Sequence, residues 1–290
     1  MRVEQGTAGP ALEMKWRVGL LTFNMGGDMK KFFVLLVMFF GVSAVWAQEP
    51  TVDEIIAKAN NRSYYQGKDG NAKATMVVTD AQGRTRQRQL TILKLNIQEG
   101  GDQKYFVYFH KPNDVKGMSY IVWKHAGGKD DDRWLYLPAM DLVRRIAASD
   151  KRSSFAGTTF LYEDISGRSM DLDTHELSAS DPAYYMIKNV PKDAASVEFS
   201  YYMMKIDKNN FVPMMAEYYD KSGKLYRTIE ALEVKDIQGY PTVTKMKAAD
   251  LNANSHTVTE FSEVIYDAGL TDDIFTERFL RNPPQQWLKE

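Results

Sequence analysis

Residues 109–165 read FHKPNDVKGMSYIVWKHAGGKDDDRWLYLPAMDLVRRIAASDKRSSFAGTTFLYEDI. Met118–Lys124 and Arg133–Leu137 are short runs rich in aromatic and β-branched side chains, and the charged loop 127–132 separates them; both read as strands. The pattern continues on either side. Upstream, Lys104–His110 is a strongly aromatic strand, Ala72–Thr79 alternates Ala74, Met76 and Val78 against Thr75, Val77 and Thr79, and Arg84–Leu95 follows the turn Asp80-Ala81-Gln82-Gly83. Downstream, strands are expected over 198–207, 213–220, 225–235, 241–250 and 257–266, with turns at Asp207–Asn210 and Asp220–Gly223. The sum is a mainly β meander with a few helices (α+β) and no alternating β-α pattern. Composition alone leaves a closed barrel or a sandwich open as well.

Helices are few. Thr51–Tyr65 has capping residues at Thr51 and Asp53 and apolar Ile55, Ile56 and Ala59 at helical spacing. The segment 148–181 is rich in Ser, Asp and Gly. It reads as a long excursion with a short helix or irregular turns near Tyr162-Glu163-Asp164-Ile165. At the C-terminus a helical turn over 272–280 precedes Pro283-Pro284, and Phe275, Phe279 and Trp287 are expected to pack back onto the sheet.

The first 47 residues stand apart. Met29-Lys30-Lys31 is a basic start, Phe32–Val42 an uncharged apolar run, and Ser43–Ala47 a set of mostly small residues placing Val45 and Ala47 for signal peptidase. The run is too short to cross a bilayer comfortably. Residues 29–47 are therefore read as a secretory signal cleaved after Ala47, and 48–290 as one domain exported to the periplasm. Residues 1–28 fit neither part. Met25-Gly26-Gly27-Asp28 precedes Met29, and its codons can spell a ribosome-binding site, so 1–28 is read as upstream sequence called into the gene.

Charge and composition remove several function classes. Lys and Arg total 37 against 38 Asp and Glu, for a net charge of −1, so no strong field points to nucleic acid. Cysteine is absent, which removes disulfides, thiolate metal sites and a lipidated N-terminal Cys. His110, His125, His175 and His256 lack metal spacing, and no HExxH occurs. Gly117-Met118-Ser119-Tyr120-Ile121 lacks the second glycine of a nucleophile elbow. Asp130-Asp131-Asp132 lacks the alternation of a calcium loop and reads as a solvated turn. No catalytic residue, metal or cofactor is assigned, and a lipid hydrolase is disfavoured because no nucleophile and base can be assembled.

The positive signal is apolar. Tyr105–Phe109, Tyr201–Met204, Met214-Met215 and Tyr218-Tyr219 put large apolar groups on both faces of strands, so one face must meet a second layer, a ligand or a partner. Methionine suits surfaces that accept variable apolar shapes. An acyl chain of roughly sixteen carbons carries on the order of 10 kcal/mol of aversion to water, so it needs a sheltered hollow to cross an aqueous space.

The landmarks Phe109-x-x-Pro112, Lys116-Gly117, Trp134–Pro138, Val143–Ile146, Ser154-Phe155-x-Gly157 and Tyr162-Glu163-Asp164 resemble the outer-membrane lipoprotein-sorting proteins, the larger periplasmic relatives of the LolA type. The resemblance covers about residues 50–290. It implies a LolA/LolB-like fold: a curved antiparallel incomplete barrel with a helical lid over a cavity for acyl chains. The N-terminal helix and parts of 148–181 would be the covers. It further implies a carrier that shuttles lipids or lipoproteins towards the outer membrane and works with an inner-membrane transporter of the resistance-nodulation-division type. The alternative is a non-catalytic protein-binding module beside such a transporter. Tyr105, Val107, Phe109, Trp123, Trp134, Tyr136, Tyr202 and Met204 are the expected cavity lining. Arg144, Arg145, Lys151 and Arg152 are read either as a contact for an anionic headgroup or acidic partner, or as strand-end charges paired with Asp141, Asp150 or Glu163. Arg144 and Arg145, adjacent on a strand, cannot both point into one site.

Overall fold

Short polar turns set the topology. The Asp80 carboxylate accepts hydrogen bonds from the backbone N–H groups of Gln82 and Arg84, both at 3.0 Å, while Gly83 takes a φ of +76°. Asp220 repeats this solution, accepting from the N–H groups of Ser222 at 2.8 Å and Lys224 at 3.0 Å ahead of Gly223. Turns this tight return the chain beside itself, so consecutive strands pair antiparallel. The computed structural model describes residues 49–288; the readings on residues 1–47 lie outside them.

The first meander holds β1 (Asp69–Thr79), β2 (Thr85–Asn96), β3 (Gln103–Lys111), β4 (Ser119–Lys124), β5 (Asp132–Leu137) and β6 (Leu142–Arg145). The second holds β7 (Asp173–Ser180), β8 (Tyr184–Pro191), β9 (Phe199–Asp207), β10 (Pro213–Asp220), β11 (Leu225–Ile237), β12 (Tyr240–Asp250) and β13 (Ser255–Tyr266). β1 pairs with β13, from Gly70 opposite Tyr266 to Thr79 opposite His256. The result is one antiparallel sheet of 13 strands in the order β6-β5-β4-β3-β2-β1-β13-β12-β11-β10-β9-β8-β7, not closed into a barrel.

The connection from β6 to β7 must pass from one edge of the sheet to the other. It does so as irregular chain with one helix, α2 (Tyr162–Ser166), and two single 3-10 turns. The expected excursion over 148–181 thus stops at residue 172. Its last quarter is the edge strand β7, and β6 and β8 are further strands that periodicity did not mark. β7 reads DTHELSAS and is exposed from Glu176 to Ser180, so it carries no buried alternating face for a sequence pattern to reveal.

Side-chain alternation sorts the first meander into two cores. Tyr105, Val107 and Phe109 of β3, with Tyr120 and Val122 of β4, face Phe155, Phe160 and Tyr162 of the crossing segment. Phe155 sits 5.7 Å from Phe109 and 5.4 Å from Tyr120, ring centre to ring centre. The opposite face carries Leu93, Phe106, Ile121 and Trp134 and is covered by the C-terminal residues Leu270, Ile274, Phe275, Leu280 and Leu288. Phe279 and Trp287 pack against this second core. Trp123 donates its indole N–H to the carbonyl of Phe275 at 2.7 Å, and Ser119 its hydroxyl to that of Leu280 at 2.5 Å.

Helix α1 (Val52–Asn60) begins at a complete capping box. The Thr51 hydroxyl accepts from the Glu54 N–H at 3.3 Å, and the Glu54 carboxylate accepts from the Thr51 N–H at 2.8 Å. Ile55, Ile56 and Ala59 face Tyr185, Ile187 and Ile206 of β8 and β9. The helix runs into a π-helical turn, Asn61–Tyr65, which places Tyr64 against Gly167. A side chain at Gly167 would come within 2.4 Å of the Tyr64 ring, and its φ is +77°, so only glycine fits here. Thr51→Ala is expected to cost about 1 kcal/mol of global stability, read as a shift in urea midpoint at unchanged slope. No measurable shift would mean α1 is held by packing alone.

Candidate functional site

A cavity of ≈ 400 Å³ opens between α1, the π turn, α2 and the sheet. Its sheet wall draws on both meanders: Ile92 and Tyr105 from β2 and β3, Tyr202 and Met204 from β9, Ala216 from β10, Ile229 and Ala231 from β11, Met246 from β12 and Phe261 from β13. Ile56, Ala59 and Tyr64 line the helical side, with Ile165 and Met170 from the crossing segment. The size falls within the ordinary range of about 300–1,000 Å³ for small-molecule sites. Across the sheet, Met204, Ala216 and Ile229 are direct register partners, so the small alanine lies between two long aliphatic side chains. Tyr105 and Tyr202 stand on strands with six others between them, yet both reach this one space.

One wall is ionic. Glu163 of α2 accepts from Arg152 at 2.6 Å and from Arg168 at 3.3 Å. Arg168 also grips Asp173 at 2.8 Å, and Asp173 accepts from the Tyr202 hydroxyl at 3.0 Å. Arg152 reaches on to Glu198 at 2.7 Å, and Arg227 pairs with Asp164. The guanidiniums lie over aromatic rings: Arg152 4.9 Å and Arg168 5.4 Å from Phe199, Arg227 5.1 Å from Tyr218. These pairs tie the crossing segment to β7, β9 and β11, and apart from the half-exposed Glu198 they are buried; the Glu163 side chain is only 4% exposed. Lys124 adds a bond from its ammonium to the Gly167 carbonyl at 2.7 Å.

Burial opposes the charge on Glu163, but the Arg152 and Arg168 guanidiniums outweigh it and hold the carboxyl below its ordinary range. Burial wins at Asp164 and pushes it up despite Arg227. At the rim of the network, burial of Glu198 is overcome by its hydrogen bonds from Arg152, and the carboxyl falls to about 2. A depressed carboxyl contributes stability that is complete above its unfolded value, here 4.5, and is lost as the pH falls towards 2. Glu198→Gln should therefore flatten the acid limb of a stability–pH curve below pH 4.5. An unchanged limb, by urea midpoint, would mean that solvent screens this half-exposed pair completely.

The other polar region centres on Lys94. Its ammonium donates to the carbonyls of Tyr64 at 3.0 Å and Gln66 at 2.6 Å, bracing the end of the π turn. Burial lowers it to about 8, against the opposing pull of Asp69 and Asp267.

Of the residues expected to line a cavity, Tyr105, Tyr202 and Met204 do line this one. Val107 and Phe109 lie on the same face of β3 but further along it, sealed under Phe155 and the rest of the crossing segment. Trp123, Trp134 and Tyr136 lie on the opposite face, against the C-terminal segment. Register explains the split: Tyr105 stands opposite Val122, so Trp123 points the other way, and Trp134 pairs with Ile121. Arg144 and Arg145 are exposed on edge strand β6, beside Asp150 and Asp132 respectively. Lys151 pairs with Asp130 at 2.9 Å, and Arg152 belongs to the buried network. Asp130, Asp131 and Asp132 each hold a basic neighbour, Asp131 through Arg133 at 2.5 Å. Arg168, Asp173 and Arg227 were not marked by sequence reasoning, and Tyr218 was marked only as an apolar strand residue. The one available signal was Glu163-Asp164, two carboxylates that need cations wherever they are buried.

A family model described as "-like: Uncharacterized protein" matches residues 101–282. No curated protein matches the chain. A DUF1329 family protein from Desulfovibrio piger superposes with a TM-score of 0.71 at 29% identity, over 78% of this chain and 97% of its own. A protein described as an outer membrane lipoprotein-sorting protein domain, from Vibrio parahaemolyticus, gives a TM-score of 0.71 at 25% identity, over 79% and 97%. A LolA superfamily protein from Nitrosomonas europaea shares the fold, with a TM-score of 0.62 at 18% identity over 79% and 99%. No helix among the described residues is long and apolar enough to cross a membrane. The chain belongs to the family that this model defines, and it shares the LolA-like fold of structural neighbours described as LolA superfamily and outer membrane lipoprotein-sorting protein domains.

Proposed function

We propose that the protein is a periplasmic carrier that shelters acyl chains of lipids or lipoproteins and moves them towards the outer membrane. The observation that carries this reading is the cavity with aliphatic and methionine walls, to which both meanders contribute. In a flat sheet Tyr105 and Tyr202 would stand about 34 Å apart at ordinary strand spacing, so their meeting supports a curved incomplete barrel. The π turn, α1 and the crossing segment then serve as its lid. Met204, Met246 and Met170 give walls that adapt to hydrocarbon of different lengths. Glu163, Asp164, Arg168 and His175 on the wall are each engaged by neighbouring protein atoms, which suits holding a ligand rather than turning one over. The secretion signal read at 29–47 gives the compartment. An inner-membrane transporter of the resistance-nodulation-division type is the proposed donor or acceptor of cargo.

The test is direct. Protein isolated from the periplasm under native conditions is extracted with organic solvent, and the extract is analysed by mass spectrometry. Acyl species in stoichiometric amount are expected. A clean extract, together with failure to bind any added amphiphile, would defeat the reading.

A further inference from the structure

The proposed carrier reading leaves open what sits at the polar end of the chain. The cavity wall carries charged side chains of two kinds. Glu163, Asp164 and Arg168 are neutralised within the buried network. Lys94 and Arg62 form no ion pair among the described residues, and Asp69 and Asp267 attract Lys94 only from beyond that reach. Among the described residues, Lys94 is held by two carbonyl oxygens and by no carboxylate within ion-pair reach. An ammonium has three protons to donate, and those two bonds leave one uncommitted. Arg62, on the π turn, lines the same cavity half-buried, and among the described residues no acidic side chain pairs with it. Lys94 and Arg62 are thus cations of the wall without an ion-pair partner among the described residues, and they line the cavity together with the apolar Ile92.

We propose that the cavity selects an amphiphile with one acyl chain and an anionic head, a carboxylate or phosphate. Lys94 and Arg62 take the head, and the chain lies along the Ile92, Ala231, Met246 and Phe261 wall. An anion there completes the third bond of Lys94 and neutralises a half-buried charge. A neutral head of the same size leaves both unanswered. This inference rests on the acyl-chain reading and narrows it to acidic lipids.

The test compares chain-matched ligands by calorimetry on the purified protein: palmitate against palmitamide, and palmitoyl lysophosphatidic acid against monopalmitoylglycerol. Wild type is expected to bind the anionic member of each pair at least about tenfold more tightly, the value of one charge-assisted hydrogen bond. Lys94→Met should bring that ratio close to one. Arg62→Glu, on a partly exposed turn, should lower the ratio as well and does so without touching the bonds that Lys94 makes to the backbone. Equal affinities in wild type, or a ratio untouched by either variant, would overturn the anionic head while leaving the acyl cavity standing. Binding of none of the four would defeat the carrier reading itself. Inorganic phosphate at millimolar concentration should not displace palmitate; displacement would reassign the cations to a free anion and overturn the amphiphile.

Discussion

Glu163→Ala is expected to lower the unfolding free energy by about 3–5 kcal/mol, the cost of removing one partner from a buried ion pair. Two arginines depend on this carboxylate, Arg152 at 2.6 Å and Arg168 at 3.3 Å, and their side chains are 8% and 9% exposed. Alanine leaves both guanidiniums buried with a missing acceptor, and they keep only Glu198 and Asp173. For a domain of this size the loss should lower Tm by roughly 10 °C. Glu163→Gln keeps one acceptor oxygen and should lose less. The readouts are thermal unfolding and urea midpoints; a loss under about 1 kcal/mol would mean that water enters and solvates the freed arginines. Because Glu163 lies on α2, the same variant should loosen the crossing segment first, seen as faster amide exchange over 148–172.

Ala216→Trp is expected to weaken acyl binding about 100-fold while leaving the fold intact. Ala216 lies between Met204 and Ile229 in one cross-strand row of the cavity wall. An indole there enters open space rather than packed core, so the usual overpacking penalty is avoided. It displaces on the order of four methylenes of ligand, about 3 kcal/mol at 0.8 kcal/mol each, hence the two decades in affinity. Unchanged affinity for palmitate, with unfolding midpoints intact, would place the ligand elsewhere.

How far the sequence carried the reading follows from where each signal resides. β1 and β13 announced themselves because each has a buried face and a wetter one, and alternation records that difference; β3 and β9 were marked instead by their density of aromatic and Met side chains. β7 did not, because an exposed edge strand has no buried face to alternate. β8 was readable in principle: Tyr185, Ile187 and Asn189 are buried at every second position, inside a stretch whose Ser and Asp neighbours masked it. Within the cavity, Tyr105, Tyr202 and Met204 could be picked as apolar strand residues, but Trp123, Trp134 and Tyr136 look alike in composition and differ only in parity of register. Lys94 and Arg62 carried no local mark. That neither forms an ion pair among the described residues is a property of space, with Lys94 bonded to backbone at the end of the π turn some thirty residues upstream.

The pairing of β1 with β13 joins residues nearly the whole described chain apart, with Gly70 opposite Tyr266. Every other strand contact is made between sequence neighbours. Closing this central seam carries the greatest loop entropy in the molecule and is the natural last step of assembly. On the proposed reading of an exported carrier, a polypeptide emerging from a secretion channel can therefore form each meander early as a separate ribbon, but it has no place to stow a ligand until residues 255–266 have come through and zipped the two ribbons together. The proposed loading is thereby confined to finished molecules, and on that reading a half-translocated chain cannot trap cargo on the wrong side of its journey.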